Sequence, residues 1–154
     1  MQEDFLNNWE QCNKVTIDII KSIPDESCYL KPFNPRFKSF NWEFACLITT
    51  REKYINGILK GMLNGNTYEE SMDNIEKLTK KEIIKKLEDT NKEIIKIIKN
   101  EKIKEIKFFG NKTNKFSIIS WLMQHEQLHY GKLMLYMAEM KIKRPKSFKE
   151  MWGI

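Results

Sequence analysis

With 41% hydrophobic and 31% charged residues over 154 positions, the chain has the balance of a globular protein with a sizeable core, which excludes a disordered chain. No apolar run approaches the roughly 20 residues that a bilayer-spanning helix needs, so no membrane partner is expected. The net charge is +6, but the 27 basic and 21 acidic residues interleave, as in Lys85-Lys86-Leu87-Glu88-Asp89; this reads as solvated helix faces, with no nucleic-acid partner expected.

In chain order, residues 4–21 read as a first helix, with Phe5, Trp9, Cys12, Thr16, Ile19 and Ile20 recurring at three and four. Pro24 ends it, because the residue before a proline is pushed out of the helical region. Residues 22–38 hold Pro24, Pro32 and Pro35 with Tyr29, Leu30, Phe33 and Phe37 between them. That apolar surface predicts a long ordered connection, with Cys28 an inert thiol inside it. Ser39 is a good N-cap for a second helix running to about Met62, with Phe44, Leu47, Ile48, Ile55, Ile58, Leu59 and Met62 on one stripe and Gly61 and Gly65 at its stop.

A short helix is predicted within residues 66–78. Thr79 and Glu82 then form a capping box for a third helix to about Lys99, with Ile83, Ile84, Leu87, Ile94, Ile95 and Ile98 inward. Asn91 interrupts that seam and either turns to solvent or meets a polar partner. Residues 100–114 read as a connection with at most a short extended piece, turning at Gly110-Asn111. The fourth long helix spans about Lys115 to Met140, and Phe148, Met151 and Trp152 make a tail apolar enough to fold back. Four long amphipathic segments with no convincing strand predict an all-α helix bundle, one domain over residues 1–154. Trp9, Trp42 and Trp121 are expected to be packing residues. Cys12, Cys28 and Cys46 are too few for a full disulfide framework, and Met1-Gln2-Glu3-Asp4 lacks a signal peptide's basic and apolar regions; a cytoplasmic location is the expectation.

The functional signal lies in the fourth helix. The chain has two histidines, His125 and His129, placed one helical turn apart. Continuing the stripe Ile118, Leu122, Leu133, Tyr136 and Met140 carries it through both, so both rings are expected to face the interior. Inward imidazoles at this spacing hold metals in helix bundles, or form a hydrogen-bonded polar pair in a core. The string His125-Glu126-Gln127-Leu128-His129 matches the HExxH pattern of zinc proteases, but no histidine follows to complete such a site and the last carboxylate, Glu150, is in the tail. A step of 100° takes Glu126 off the histidine face, so it is expected on the flank and not as a general base.

Three stretches resemble the DinB-like superfamily of small bacterial four-helix bundles: Ile23-Pro24-Asp25-Glu26 with Lys31-Pro32; Ser39-Phe40-Asn41-Trp42-Glu43-Phe44-Ala45-Cys46 leading to Arg51-Glu52-Lys53-Tyr54; and His125-xxx-His129-Tyr130-Gly131-Lys132-Leu133 closed by Lys143-Arg144-Pro145. The resemblance implies an up-down-down-up bundle with long connections. It also implies a divalent metal, zinc or nickel, held by three histidines, two of them matched by His125 and His129. At the third position this chain has Cys46, a departure that keeps a metal-binding side chain, since thiolate suits both metals. Glu43 or Thr49 could reach the same cavity if Cys46 does not bind. By resemblance the chain is expected to be a metal-dependent enzyme, a thiol-dependent S-transferase or a hydrolase, acting on a small molecule with a low-molecular-weight thiol as partner, and to form a homodimer. The alternative is a non-catalytic dimeric binding protein with a degenerate metal site and a polar histidine pair in its core.

Overall fold

The computed structural model describes residues 2–32, 34–65 and 71–153. Phe33 and residues 66–70, where the predicted short helix was to begin, lie outside them. Four long helices form the body: α1 (Gln2–Ser22), α2 (Phe40–Leu59), α4 (Lys80–Lys99) and α5 (Lys115–Glu139). The short helices α3 (Met72–Glu76) and α6 (Lys146–Trp152) pack against α2 and α1 respectively. The long helices start where the sequence provides caps. Ser39 accepts from Trp42 N at 3.0 Å, Asn114 accepts from Phe116 N and Ser117 N at 3.0 Å, and Thr79 and Glu82 complete a capping box.

One correction concerns strands. Three short ones are present where at most one short extended piece within residues 100–114 was expected: β1 (Met62–Leu63), β2 (Ile106–Phe108) and β3 (Asn111–Thr113). β1 pairs parallel with β2, Leu63 opposite Phe108, and β2 pairs antiparallel with β3, Phe108 opposite Asn111. Phe109 and Gly110 turn this hairpin with φ of 46° and 87°, the positive pair that a two-residue turn of this twist requires. Strands of two or three residues are too short to display an alternation, which is why periodicity misses them. The sheet has a structural use, because it gathers three helix ends. α2 runs into β1, α4 into β2, and β3 into α5. Gln2 Nε2 donates to Ile98 O at 2.8 Å, so α1 also starts at this end. α1 and α5 therefore run one way and α2 and α4 the other, the up-down-down-up order.

The core falls in two clusters, one built around Ile19, Phe44, Leu47, Leu87 and Leu133, the other around Trp9, Ile58, Ile94, Ile118 and Leu122. Gly57 lets α2 approach β1: a Cβ there would lie 2.7 Å from the Leu63 side chain. Asn91 takes the polar alternative, accepting from Trp9 Nε1 at 2.7 Å. Cys28 is buried with its Sγ on Pro24 O at 3.6 Å, and burial raises its thiol pKa. The tail folds back, with Phe148 buried and Trp152 set edge-on to Tyr130.

At mid-bundle the apolar interior gives way to an ion pair. Arg51 and Glu126 are both fully buried, with Nε–Oε1 at 2.5 Å and Nη2–Oε2 at 2.8 Å. Arg51 Nη1 also donates to Asn13 Oδ1 at 2.9 Å and Leu87 O at 3.1 Å, and its guanidinium carbon sits 5.0 Å from the centre of the Trp9 ring. Glu126 Oε2 accepts from Thr16 Oγ1 at 2.6 Å and Tyr130 Oη at 3.1 Å. The network thus joins all four long helices. Burial alone would drive Glu126 toward its neutral form, but the Arg51 charge and these hydrogen bonds hold its pKa below the usual carboxylate value.

Removing one partner of such a pair strands the other charge in the core. Arg51→Ala is expected to lower stability by about 3–5 kcal/mol, whereas the double change Arg51→Met/Glu126→Leu is expected to cost much less. Urea denaturation of both variants checks this; equal losses would show that the pair contributes through packing alone.

Candidate metal centre

The site lies between α2 and α5. On α2, Glu43 and Cys46 are three residues apart and share the face toward α5. On α5, His125, His129, Lys132 and Tyr136 follow at three and four, so they form one stripe facing α2. Cys46 Sγ is 3.8 Å from His125 Nε2, and His125 Nε2 is 3.2 Å from His129 Nε2. All three donor atoms lie within 4.8 Å of one another.

These separations fit a shared ion. A tetrahedral zinc with ordinary Zn–N and Zn–S bonds sets its nitrogen ligands about 3.3 Å apart and a nitrogen and sulfur about 3.6 Å apart. The observed 3.2 and 3.8 Å are close to these, and the Cys46–His129 pair lies within 4.8 Å. Three protein donors leave one position of a tetrahedron for another ligand. His129 is buried, while Cys46 and His125 are half-buried, so the site reaches solvent on their side. A cavity of about 310 Å³ elsewhere, between α2 and α4, is lined by Glu52, Ile55 and Asp89 among others and includes none of these residues.

Glu43 is buried at 1% exposure and does not point its carboxylate at the donors. Its Oε2 accepts from His129 Nδ1 at 2.5 Å and Lys132 Nζ at 3.2 Å, and its Oε1 accepts from Tyr136 Oη at 2.8 Å. Thr49 is occupied within its own helix, donating to Cys46 O at 3.2 Å. The two residues considered as substitutes for Cys46 are therefore otherwise engaged. His125 differs from His129 in its support: its Nδ1 is buried and has no hydrogen-bond partner among the described residues.

Charge in the site favours the thiolate form of Cys46 and the protonated form of His129, an ion pair that a metal would replace. Burial works to raise the Cys46 thiol, but the hydrogen bonds and charges of His125 and His129 outweigh it and bring the pKa down to about 6. Burial works to lower His129, and its contacts with Cys46 and Glu43 raise it instead. Glu43 stays below the usual carboxylate value: His129, Tyr136 and Lys132 together overcome its burial.

Two expectations about α5 are reversed. The centre of its buried stripe runs through Leu122, Glu126, His129 and Leu133. Glu126, expected on the flank, is the inward residue of its turn, and His125, expected inward, sits at the edge of the stripe. The cause is a modest rotation: the buried positions include Ile119, Tyr130 and Met137 beside Ile118, Leu122 and Tyr136, which recentres the stripe past 125. Glu126 is committed to Arg51, so it takes no part in the histidine site, and the HExxH match has no protease meaning here. Trp121 is also less buried than a packing residue should be, at 37% exposure, though it stacks on Phe108.

The profile of the DinB family matches residues 1–147. The chain belongs to the DinB family. Its fold agrees with two solved DinB-like proteins. One, from Bacillus cereus ATCC 10987, superposes with a TM-score of 0.71 at 18% identity, over 93% of this chain and 95% of that one. The other, YjoA from Bacillus subtilis, gives 0.71 at 19% identity, over 92% and 95%. No functionally curated protein matches the chain. Within this DinB bundle no helix of the described residues is long and apolar enough to cross a membrane.

The lowered thiol gives a direct check on the site. In metal-free protein, alkylation of Cys46 by iodoacetamide is expected to reach half its limiting rate near pH 6, and to fall as pH drops below that value and the thiolate takes up a proton. Cys46→Ser marks the background. A midpoint near the ordinary thiol value of about 8.5 would mean that the histidines do not stabilise the thiolate.

Proposed function

We propose that Cys46, His125 and His129 bind one divalent metal ion, zinc or nickel, and that the chain is a metal-dependent enzyme acting on a small molecule, an S-transferase using a low-molecular-weight thiol or a hydrolase. The observation that supports this reading is the convergence of three metal-binding side chains, their donor atoms all within 4.8 Å of one another, with Cys46 and His125 half-buried. A bound metal would supply Lewis acidity, lowering the pKa of a thiol or water or polarising a substrate oxygen. The chain's own residues would do the rest. Cys46 would bring a negative charge to the donor set, His129 a ring held from behind by Glu43, and His125 a ring at the solvent edge. The bundle behind them excludes water from the buried side.

A second reading has its own support. The 3.2 Å contact between the two Nε2 atoms is also a hydrogen-bond distance, as a non-catalytic histidine pair would show. Metal content separates the two. Protein purified without chelator is expected to carry about one zinc or nickel per chain by elemental analysis, and His125→Ala/His129→Ala is expected to carry none while remaining helical by circular dichroism. Wild-type protein that takes up no metal on reconstitution would leave the binding-protein reading.

We also propose a homodimer, built on α5. Trp121, Leu128 and Leu135 recur at seven and are 37%, 62% and 56% exposed. None of the exposed residues from Ser117 to Ala138 is charged, so two copies of a +6 chain can meet along this seam without opposing like charges. Light scattering is expected to give twice the 18.5 kDa chain mass, and Leu128→Glu to return the monomer. A wild-type monomer at high concentration would remove the dimer.

A further inference from the structure

We infer that Glu43 is a positioning residue: by holding the proton of His129 on Nδ1, it turns Nε2 of that ring toward Cys46 and His125. This rests on the metal reading for its consequence, though not for its geometry.

The argument starts from what each atom can do. An ionised carboxylate only accepts, so whichever atom of His129 faces it must carry a proton. That atom is Nδ1, at 2.5 Å from Oε2. With the proton fixed there, a neutral ring has its lone pair on Nε2, the atom that lies 3.2 Å from His125 Nε2. Glu43 stays ionised because Lys132 and Tyr136 both donate to it, one to each oxygen. Glu43 and His129 are both buried, so water does not compete for either group.

The two helices are built to keep this pair aligned. Glu43 lies one turn into α2, and Lys132 and Tyr136 follow His129 on the same face of α5. The four side chains therefore form one layer of the α2–α5 contact. His125, by contrast, has no acceptor behind it, since its Nδ1 is unpartnered. The donor set is thus asymmetric. His129 is held from behind in orientation and tautomer, and His125 only by its contacts at Nε2. Carboxylates behind metal-ligating histidines act in this way generally, and their loss costs about 10–100-fold in metal affinity.

A merely structural Glu43, joining α2 to α5, would have the same contacts, so the test must read more than stability. Zinc affinity is measured by competition with a chromogenic chelator for wild type, Glu43→Gln, His129→Ala and the double variant. Glu43→Gln is expected to weaken zinc binding about 10–100-fold in the wild-type background and to have no further effect when His129 is absent. Asn91→Ala is the structural control: it removes the Trp9 hydrogen bond away from the site and is expected to leave zinc affinity within a few-fold of wild type. In parallel, long-range ¹H–¹⁵N spectra of metal-free wild-type protein, taken at a pH alkaline enough for the His129 ring to be neutral, are expected to show its proton on Nδ1. This measurement needs no variant to fold and no metal to bind. A neutral His129 ring with its proton on Nε2 would overturn the inference, and so would unchanged zinc affinity in Glu43→Gln. Wild-type protein that shows the Nδ1 proton but binds no zinc would overturn the metal reading and leave the positioning of His129 standing.

Discussion

The interaction on which this structure depends is the buried pair between Arg51 and Glu126. Taking two charges out of water costs several kcal/mol each, and mutual attraction offsets that only when the remaining donors and acceptors are also matched. Here they are: Asn13, Leu87 O, Thr16 and Tyr130 take up the positions that the pair leaves open. Because these partners come from all four long helices, the network fits only one set of helix rotations and heights. Apolar contacts would tolerate small slips between helices. A two-point guanidinium–carboxylate contact does not.

That constraint reaches the surface through α5. Glu126 adjoins His125 in the chain, and His129 lies three residues further on. Fixing Glu126 toward Arg51 fixes the rotation of α5, and the next residues around the helix are then directed at α2. Arg51 does the same for α2, where Cys46 and Glu43 lie five and eight residues before it. The interior ion pair and the surface donor set are thus two readings of one helix register. This also accounts for the reach of the polar interior: a bundle held by leucines alone could bring Cys46 near His125 without holding the separations that a small ion demands.

Much of the fold was legible in the sequence because long amphipathic helices repeat their signal many times. Ser39 and Thr79 begin two of the helices as read, and the buried isoleucines of α4 fall on one stripe. The sheet was not legible, since Met62-Leu63 and Asn111-Lys112-Thr113 offer too few residues for a pattern, and their pairing depends on three helix ends meeting in space. His125 and His129 were legible as residue types and spacing and Cys46 only through the family resemblance, and the structure brings all three together. What lay behind it was missed for a specific reason. Arg51 sits on the stripe Phe44, Leu47, Ile48, Ile55 and Ile58, three after one isoleucine and four before the next, and Glu126 sits likewise between Leu122 and Leu133. A charge on an apolar stripe is a sign of a buried partner. Read as a flank residue, Glu126 displaced the stripe by one position and put His125 in its place.

Cys46 is the feature that sets this chain apart within the resemblance it shows, and its chemistry bears on the metal reading. A thiolate and two neutral imidazoles compensate one of the two charges of a divalent ion, where three imidazoles compensate none. The sulfur is also the softer donor, which favours zinc or nickel over harder ions. Both effects would make a bound ion hold its protein ligands more firmly and act less strongly on a fourth ligand. Glu43 adds to this from behind, because a carboxylate hydrogen-bonded to Nδ1 makes His129 a more electron-rich donor. Such a centre suits a sulfur substrate, whose thiol already ionises near neutral pH, better than it suits water, which needs far stronger activation to become a nucleophile. Of the two reactions proposed, transfer through a small thiol is therefore the one that the donor set favours.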